Sequence, residues 1–146
     1  MRVKTKPRDQ KVLKGDLERI VNDALAETID LRTKARNDLD RVRDLGTKEE
    51  KKLLVDLLTK RIEDEVKKSK FEINVDVVER AAEALSFIPD KRAAEVVEDA
   101  AETLSKYPTL KEVVVYLKNV AKDIRRAAEA PHGEEAVRLL ERLEGV

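Results

Sequence analysis

Sulfur and aromatic rings are nearly missing from this chain, which has no Cys, no Trp, one Met, two Phe and two Tyr in 146 residues. Without Cys there is no disulfide scaffold, zinc knuckle, iron–sulfur centre or thiol nucleophile. The four glycines stand at 15, 46, 133 and 145, too scattered for a glycine-rich phosphate loop. A net charge is missing as well, with 31 Lys and Arg against 31 Asp and Glu. That balance removes the global electrostatic attraction to nucleic acid or to an anionic membrane surface. No apolar run approaches the ~18 residues of a spanning helix, and no apolar leader opens the sequence. A soluble, cytoplasmic chain is expected, and its length suits one domain with a core of its own.

What is present is charge on helical periods. Residues 1–14 form a basic arm, with Arg2, Lys4, Lys6, Arg8, Lys11 and Lys14 against Asp9 alone. Gly15-Asp16 reads as a break followed by an N-cap. From there Leu17, Ile20, Val21, Ala24, Leu31, Ala35, Leu39 and Val42 keep a three-and-four spacing that predicts one helix over 16–45. It would be about 43 Å long at 1.5 Å per residue, with Asn37-Asp38 the place to kink. Ala24, Thr28 and Ala35 are small enough for another helix to approach closely. Gly46 suits a left-handed helix terminus, and Thr47 with Glu50 forms a capping box for a helix over 48–69. On that helix Glu63–Lys67 and Asp64–Lys68 are spaced for surface pairs, and Glu63-Asp64-Glu65 reads as solvated surface.

Strict alternation appears twice, at Met1–Lys6 and at Phe71–Val77. One reading is a two-stranded β ribbon of 2–6 with 71–75, which would set Arg2, Lys4 and Lys6 beside Glu72, Asn74 and Asp76. The other is an ordered linker in which Asp76 caps the next helix. Helices are then predicted over 77–87, 91–106, 110–130 and 134–144. Asp90 caps the second of these four, Thr109 with Glu112 forms a capping box for the third, and Pro131-His132-Gly133 turns into the last. Phe71, Phe87 and Tyr107 fall near segment ends and are expected to plug the core, while Tyr116 is expected half-exposed.

One internal recurrence stands out. Residues 77–86 and 96–105 match at an offset of 19, and both run towards a proline. Stacked helical repeats would produce this. So would the preference of any optimised amphipathic helix for Ala, Glu and Val, which is the reading we adopt.

The residues offer little catalytic chemistry. Ser69, Ser86 and Ser105 lie near helix ends, and His132 is the sole His, so a nucleophile–base–orienter set is not assembled. Glu129 and His132 have the Glu-x-x-His spacing of dimetal carboxylate bundles, but those need a second such motif, and Pro131 interrupts this one. No catalytic, cofactor-binding or metal-binding residue is therefore nominated, and no cofactor is expected. The basic arm is the best hint of a polyanion partner, yet it lacks interleaved aromatics, so nucleic acid is disfavoured.

The capping boxes at Thr47/Glu50 and Thr109/Glu112 follow the rules of protein design, as do Gly46, the boundary prolines and the Leu/Val/Ile/Ala core. The turn and helix at Pro131–Val137 does too. In these features the chain resembles a computationally designed (de novo) helical protein. Val113-Val114-Val115 in a helix, the untidy arm and the zero net charge depart from that style. A domain from a heat-loving organism would share the charge content and the scarcity of Cys. The resemblance implies an all-α, single-domain bundle of about six helices: a thermostable, monomeric scaffold without catalytic activity that requires no partner. A helical binding module for a protein or peptide is the alternative, and a carboxylate-based enzyme comes third.

Overall fold

The computed structural model describes residues 5–129, with side chains from Gly15 onward. Among the described residues the chain is all-α. Its helices are α1 (Thr5–Ala24), α2 (Ile29–Leu45), α3 (Lys48–Val66), α4 (Val75–Ser86), α5 (Lys91–Leu104) and α6 (Lys111–Glu129). A 3-10 turn at Pro108–Leu110 leads into α6. His132 and the helix expected over 134–144 lie outside the described residues.

The helices pair in chain order as hairpins, α1 with α2, α3 with α4, and α5 with α6. The hairpins then stack. In one layer α1 packs on α3 and α3 on α5; in the other α4 packs on α6. At the α2–α4 seam long side chains do the joining: the Arg36 guanidinium donates to the Glu83 carboxylate at 3.0 Å and lies 5.8 Å from the centre of the Phe87 ring.

A common register underlies the stack. Leu54, Val55, Leu58, Ile62 and Glu65 are the buried residues of α3. Moving each on by 39 gives Ala93, Ala94, Val97, Ala101 and Leu104, all buried in α5. The same step of 39 carries Val78, Ala81, Ala82 and Leu85 of α4 onto Leu117, Val120, Ala121 and Ile124 of α6. A step of 43 relates α2 to α4, since Ala35, Asp38, Leu39 and Val42 fall on those four α4 positions. Each hairpin buries its apolar stripe against its neighbours, the organisation that helical repeat arrays use. The offset of 19 in the sequence joins α4 to α5, which lie in different layers.

Several expectations are corrected. Among the described residues the ribbon of 2–6 with 71–75 is not seen: Thr5 and Lys6 belong to α1, and residues 71–74 are a turn that leads into α4 at Val75. The alternating pattern loses to local hydrogen bonding. Glu72 and Ile73 N–H donate to the Ser69 carbonyl, and the Asn74 carboxamide caps α4 by accepting from Asp76 and Val77 N–H. Asn74, not Asp76, is therefore the cap. Phe71, expected to plug the core, is 93% exposed, whereas Phe87 and Tyr107 do pack against the core.

The single helix over 16–45 is two helices, broken at Leu25–Thr28 and not at Asn37-Asp38. Gly15-Asp16 is no boundary, because Gly15 sits inside α1. Gly46 is not left-handed but extended, at φ −77° and ψ 159°. Glycine is needed there for a different reason: a Cβ would stand 2.5 Å from the Val42 carbonyl oxygen. The Thr47/Glu50 box is present, with Thr47 Oγ accepting from Glu50 N–H at 3.1 Å and the Glu50 carboxylate accepting from Thr47 N–H at 2.9 Å. The Thr109/Glu112 box is absent. Pro108 starts the 3-10 turn one residue earlier, so Thr109 is already helical and lacks the extended backbone of a cap.

Candidate functional site

A concavity that combines an apolar floor with charge lies at the seam of the second and third hairpins. It measures about 490 Å³. Its floor is Val55 of α3 with Ile88 and Pro89 of the α4–α5 connection; Lys48, Lys51, Lys52 and Arg92 rise around it. The chain builds this edge by capping. Thr47 starts α3 and Asp90 starts α5, and each cap sets basic residues in the turn that follows.

Asp90 is the one carboxylate in the lining, and it is already engaged. It accepts from Arg92 N–H at 2.8 Å and from the Arg92 guanidinium at 3.0 Å. The Arg92 hydrogen bond, with help from Lys52, holds the Asp90 carboxyl below its ordinary value. Just outside the lining, Asp56 bridges Lys52 at 3.2 Å and Arg92 at 3.6 Å. Among the described residues, Lys48 and Lys51 have no carboxylate within 4.0 Å. The groove therefore offers an apolar surface with two uncommitted ammonium groups, suited to an amphipathic anion. Its lining holds no hydroxyl, thiol or imidazole side chain.

A second depression, of about 280 Å³, lies between α1 and α3 over Val21 and Leu57. It is ringed by both signs, Glu18 and Asp64 against Lys60 and Arg61. A third cleft, where α1, α2 and α4 meet, encloses only about 10 Å³, room for a single water at most. Arg32, Arg36, Arg80 and Glu83 fill it, and the small Ala24 and Ala35 let the three helices come together there.

The residues weighed for chemistry serve the chain locally. Ser69 Oγ donates to the Glu72 carboxylate at 2.8 Å, Ser86 Oγ to the Glu83 carbonyl, and Ser105 Oγ to the Glu102 carbonyl at 2.6 Å. Among the described residues no group of three or more His, Asp or Glu could hold a metal ion. None of the helices described is long and apolar enough to cross a membrane. Tyr116 is partly buried as expected, and burial beside Glu83 and Glu79 pushes its hydroxyl above the ordinary value.

Two buried acids escape the pattern of the sequence. Glu65, expected on the surface, is buried at the end of α3. Its carboxylate accepts from Asn74 N–H at 2.7 Å and pairs with Lys68 at 3.1 Å. Asp38 is buried in α2 between Arg19 at 3.6 Å and Arg41 at 3.4 Å, and its Oδ2 accepts no hydrogen bond among the described residues. Both sit on core positions of their helices, and that was the available signal: each continues a three-and-four apolar row.

By fold the chain is an all-α protein of stacked helical hairpins. It matches no protein-family model, and neither a curated protein nor a solved structure matches it.

Proposed function

We propose that this chain is a helical scaffold of the designed kind, without catalytic activity, whose purpose is the fold itself. The observation that carries the reading is the shared step of 39 residues in both layers, because it places the second and third hairpins on one template. The titrating groups support it. The displaced groups are Arg43 with Asp44 at a helix end, Asp90 with Arg92 at a cap, Arg125 on the surface, and Glu79 and Tyr116 on α4 and α6, and they do not converge on one cavity. Regular helical backbones around a close-packed core unfold at high temperature. Reversible thermal unfolding with a midpoint above ~90 °C is therefore expected by circular dichroism. A midpoint of ~45–65 °C, where ordinary mesophilic domains unfold, would overturn the idealised reading.

The seam groove favours a second reading, a module that binds a peptide with an apolar side chain flanked by carboxylates. Titration calorimetry with such a peptide would show binding that weakens with salt and is lost in a Lys48→Glu/Lys51→Glu variant. Binding unaffected by either change would exclude the groove.

A further inference from the structure

Two hairpin tips meet at one edge of the stack. The α3–α4 turn carries Lys67, Lys70 and Phe71, and the α5–α6 turn carries Lys106 and Tyr107. One step of 39 sets Lys106 where Lys67 stands in the preceding hairpin. The Lys70 ammonium joins the turns, lying 5.7 Å from the centre of the Phe71 ring and 5.6 Å from that of Tyr107. The Lys106 ammonium lies 5.3 Å from the Tyr107 ring, so ammonium and ring alternate along the edge. Packing leaves this material free. Phe71 is 93% exposed, while half-buried Tyr107 is anchored on the core. Among the described residues the lysines within 4.0 Å of a carboxylate are Lys52, Lys60 and Lys68, which leaves Lys67, Lys70 and Lys106 uncommitted. The nearby acids are engaged: Glu65 holds Lys68 and the Asn74 N–H, and Glu72 accepts from Ser69 Oγ at 2.8 Å.

We propose that this edge binds single-stranded nucleic acid without sequence preference, its bases stacking on Phe71 and Tyr107 and its phosphates meeting Lys67, Lys70 and Lys106. Charge and shape agree on that occupant. A single strand presents flat bases and phosphates in alternation, and the edge presents rings and ammonium groups in alternation. Lys70 reaches both rings, as one phosphate links two successive bases. The aromatics that the basic stretch 1–14 lacks are supplied here. A duplex keeps its base faces stacked inside and offers the rings nothing to cover. An anionic bilayer would meet the lysines and take up Phe71, but it gives Tyr107, held on the core, no part. With a net charge of zero the chain adds no long-range attraction, so the affinity is local and modest.

Fluorescence anisotropy of a labelled oligothymidylate of about twelve nucleotides, titrated with the full chain, tests the assignment. A Kd of about 1–100 μM at low salt is expected, weakening as salt rises. Phe71→Ala should weaken binding about fivefold or more through lost stacking. Because the Phe71 side chain is exposed, the same variant should keep its thermal midpoint within about 2 °C, which separates lost binding from lost folding. Lys70→Gln/Lys106→Gln should weaken binding and lower the slope of log Kd against log salt by about 1.4, the share of two phosphate contacts on a single strand. No binding would overturn the proposal. So would binding that Phe71→Ala leaves unchanged, since that is charge attraction alone, or a duplex of equal length bound as tightly as the single strand. Binding to phosphatidylserine vesicles in place of the oligonucleotide would overturn it in favour of a membrane surface.

Discussion

At Gly15, inside α1, a methyl group in place of hydrogen would meet no atom within 4 Å. At Gly46 the same methyl would press on the Val42 carbonyl oxygen at 2.5 Å and its side chain at 3.0 Å. Opposite outcomes follow. Gly15→Ala should stabilise the chain by about 0.5–1 kcal/mol through helix propensity and a less free unfolded state. Gly46→Ala should destabilise it by about 1–3 kcal/mol, since backbone must move. Urea denaturation of both variants reads the contrast. Asp90 gives a residue-scale prediction in pH. Its folded pKa lies below the ordinary carboxyl value of 3.8, so its contribution is complete above that value and is lost as pH falls through the lower, folded one. Asp90→Ala should cost about 1 kcal/mol at pH 7, and its deficit relative to the parent should shrink below about pH 4. A deficit that grew with acid would contradict the assignment. Glu79 works in the other sense. Burial, with Asp76 nearby, raises its pKa, so its contribution is fullest at low pH and is lost as pH rises through the folded value.

Helix ends show where elements stop and what stops them. The break at Leu25–Thr28 contains no Gly, no Pro and no side-chain cap. Guanidinium groups close it: Arg32 donates to the Ala26 carbonyl at 2.7 Å and to the Glu27 carbonyl at 2.8 Å, and Arg80 reaches from α4 to the Leu25 carbonyl at 3.3 Å. Three carbonyls that a continuous helix would have used internally are satisfied from outside. The α3–α4 turn is held in the converse way, by the Glu65 carboxylate on the Asn74 N–H. Glu65→Ala should therefore cost about 1–2 kcal/mol, and Glu65→Gln, which keeps an acceptor oxygen, less than half of that. Denaturant midpoints at constant m decide between them; equal losses would mean that the negative charge, not the acceptor, matters.

Across the whole molecule, stability is carried by interfaces between neighbouring hairpins, and the middle hairpin has two of them. Leu58 is fully buried on α3, the helix that packs against both α1 and α5. Leu58→Ala should cost about 2–5 kcal/mol, as buried leucines do when a cavity is left. Val42→Ala on the first hairpin should cost about half as much, having one neighbour to lose. Hydrogen exchange should show the Leu58 substitution raising exchange in all three hairpins and the Val42 substitution raising it chiefly in α1 and α2.

Local chemistry was legible without any partner in space. The Thr47/Glu50 box, the Asp90 cap and the three-and-four rows on α3, α4, α5 and α6 are fixed by side chains within one turn of the backbone they serve. So were the absence of a thiol and the local duties of the serines. The seam groove was not legible, because Val55, Ile88 and Arg92 meet only when α3 and α5 pack. Nor was the alternation at Phe71–Val77 decisive, since a strand needs a second strand and Thr5 and Lys6 had gone into a helix. The sequence by itself determined a predominantly helical chain and the capped starts of α3 and α5. Tertiary structure decided that 16–45 is a hairpin rather than a rod, that Glu65 and Asp38 are buried, and that the helices stack in order. Those choices depend on Arg80 meeting the Leu25 carbonyl and on stripes finding each other across layers, which are contacts between residues far apart in the chain.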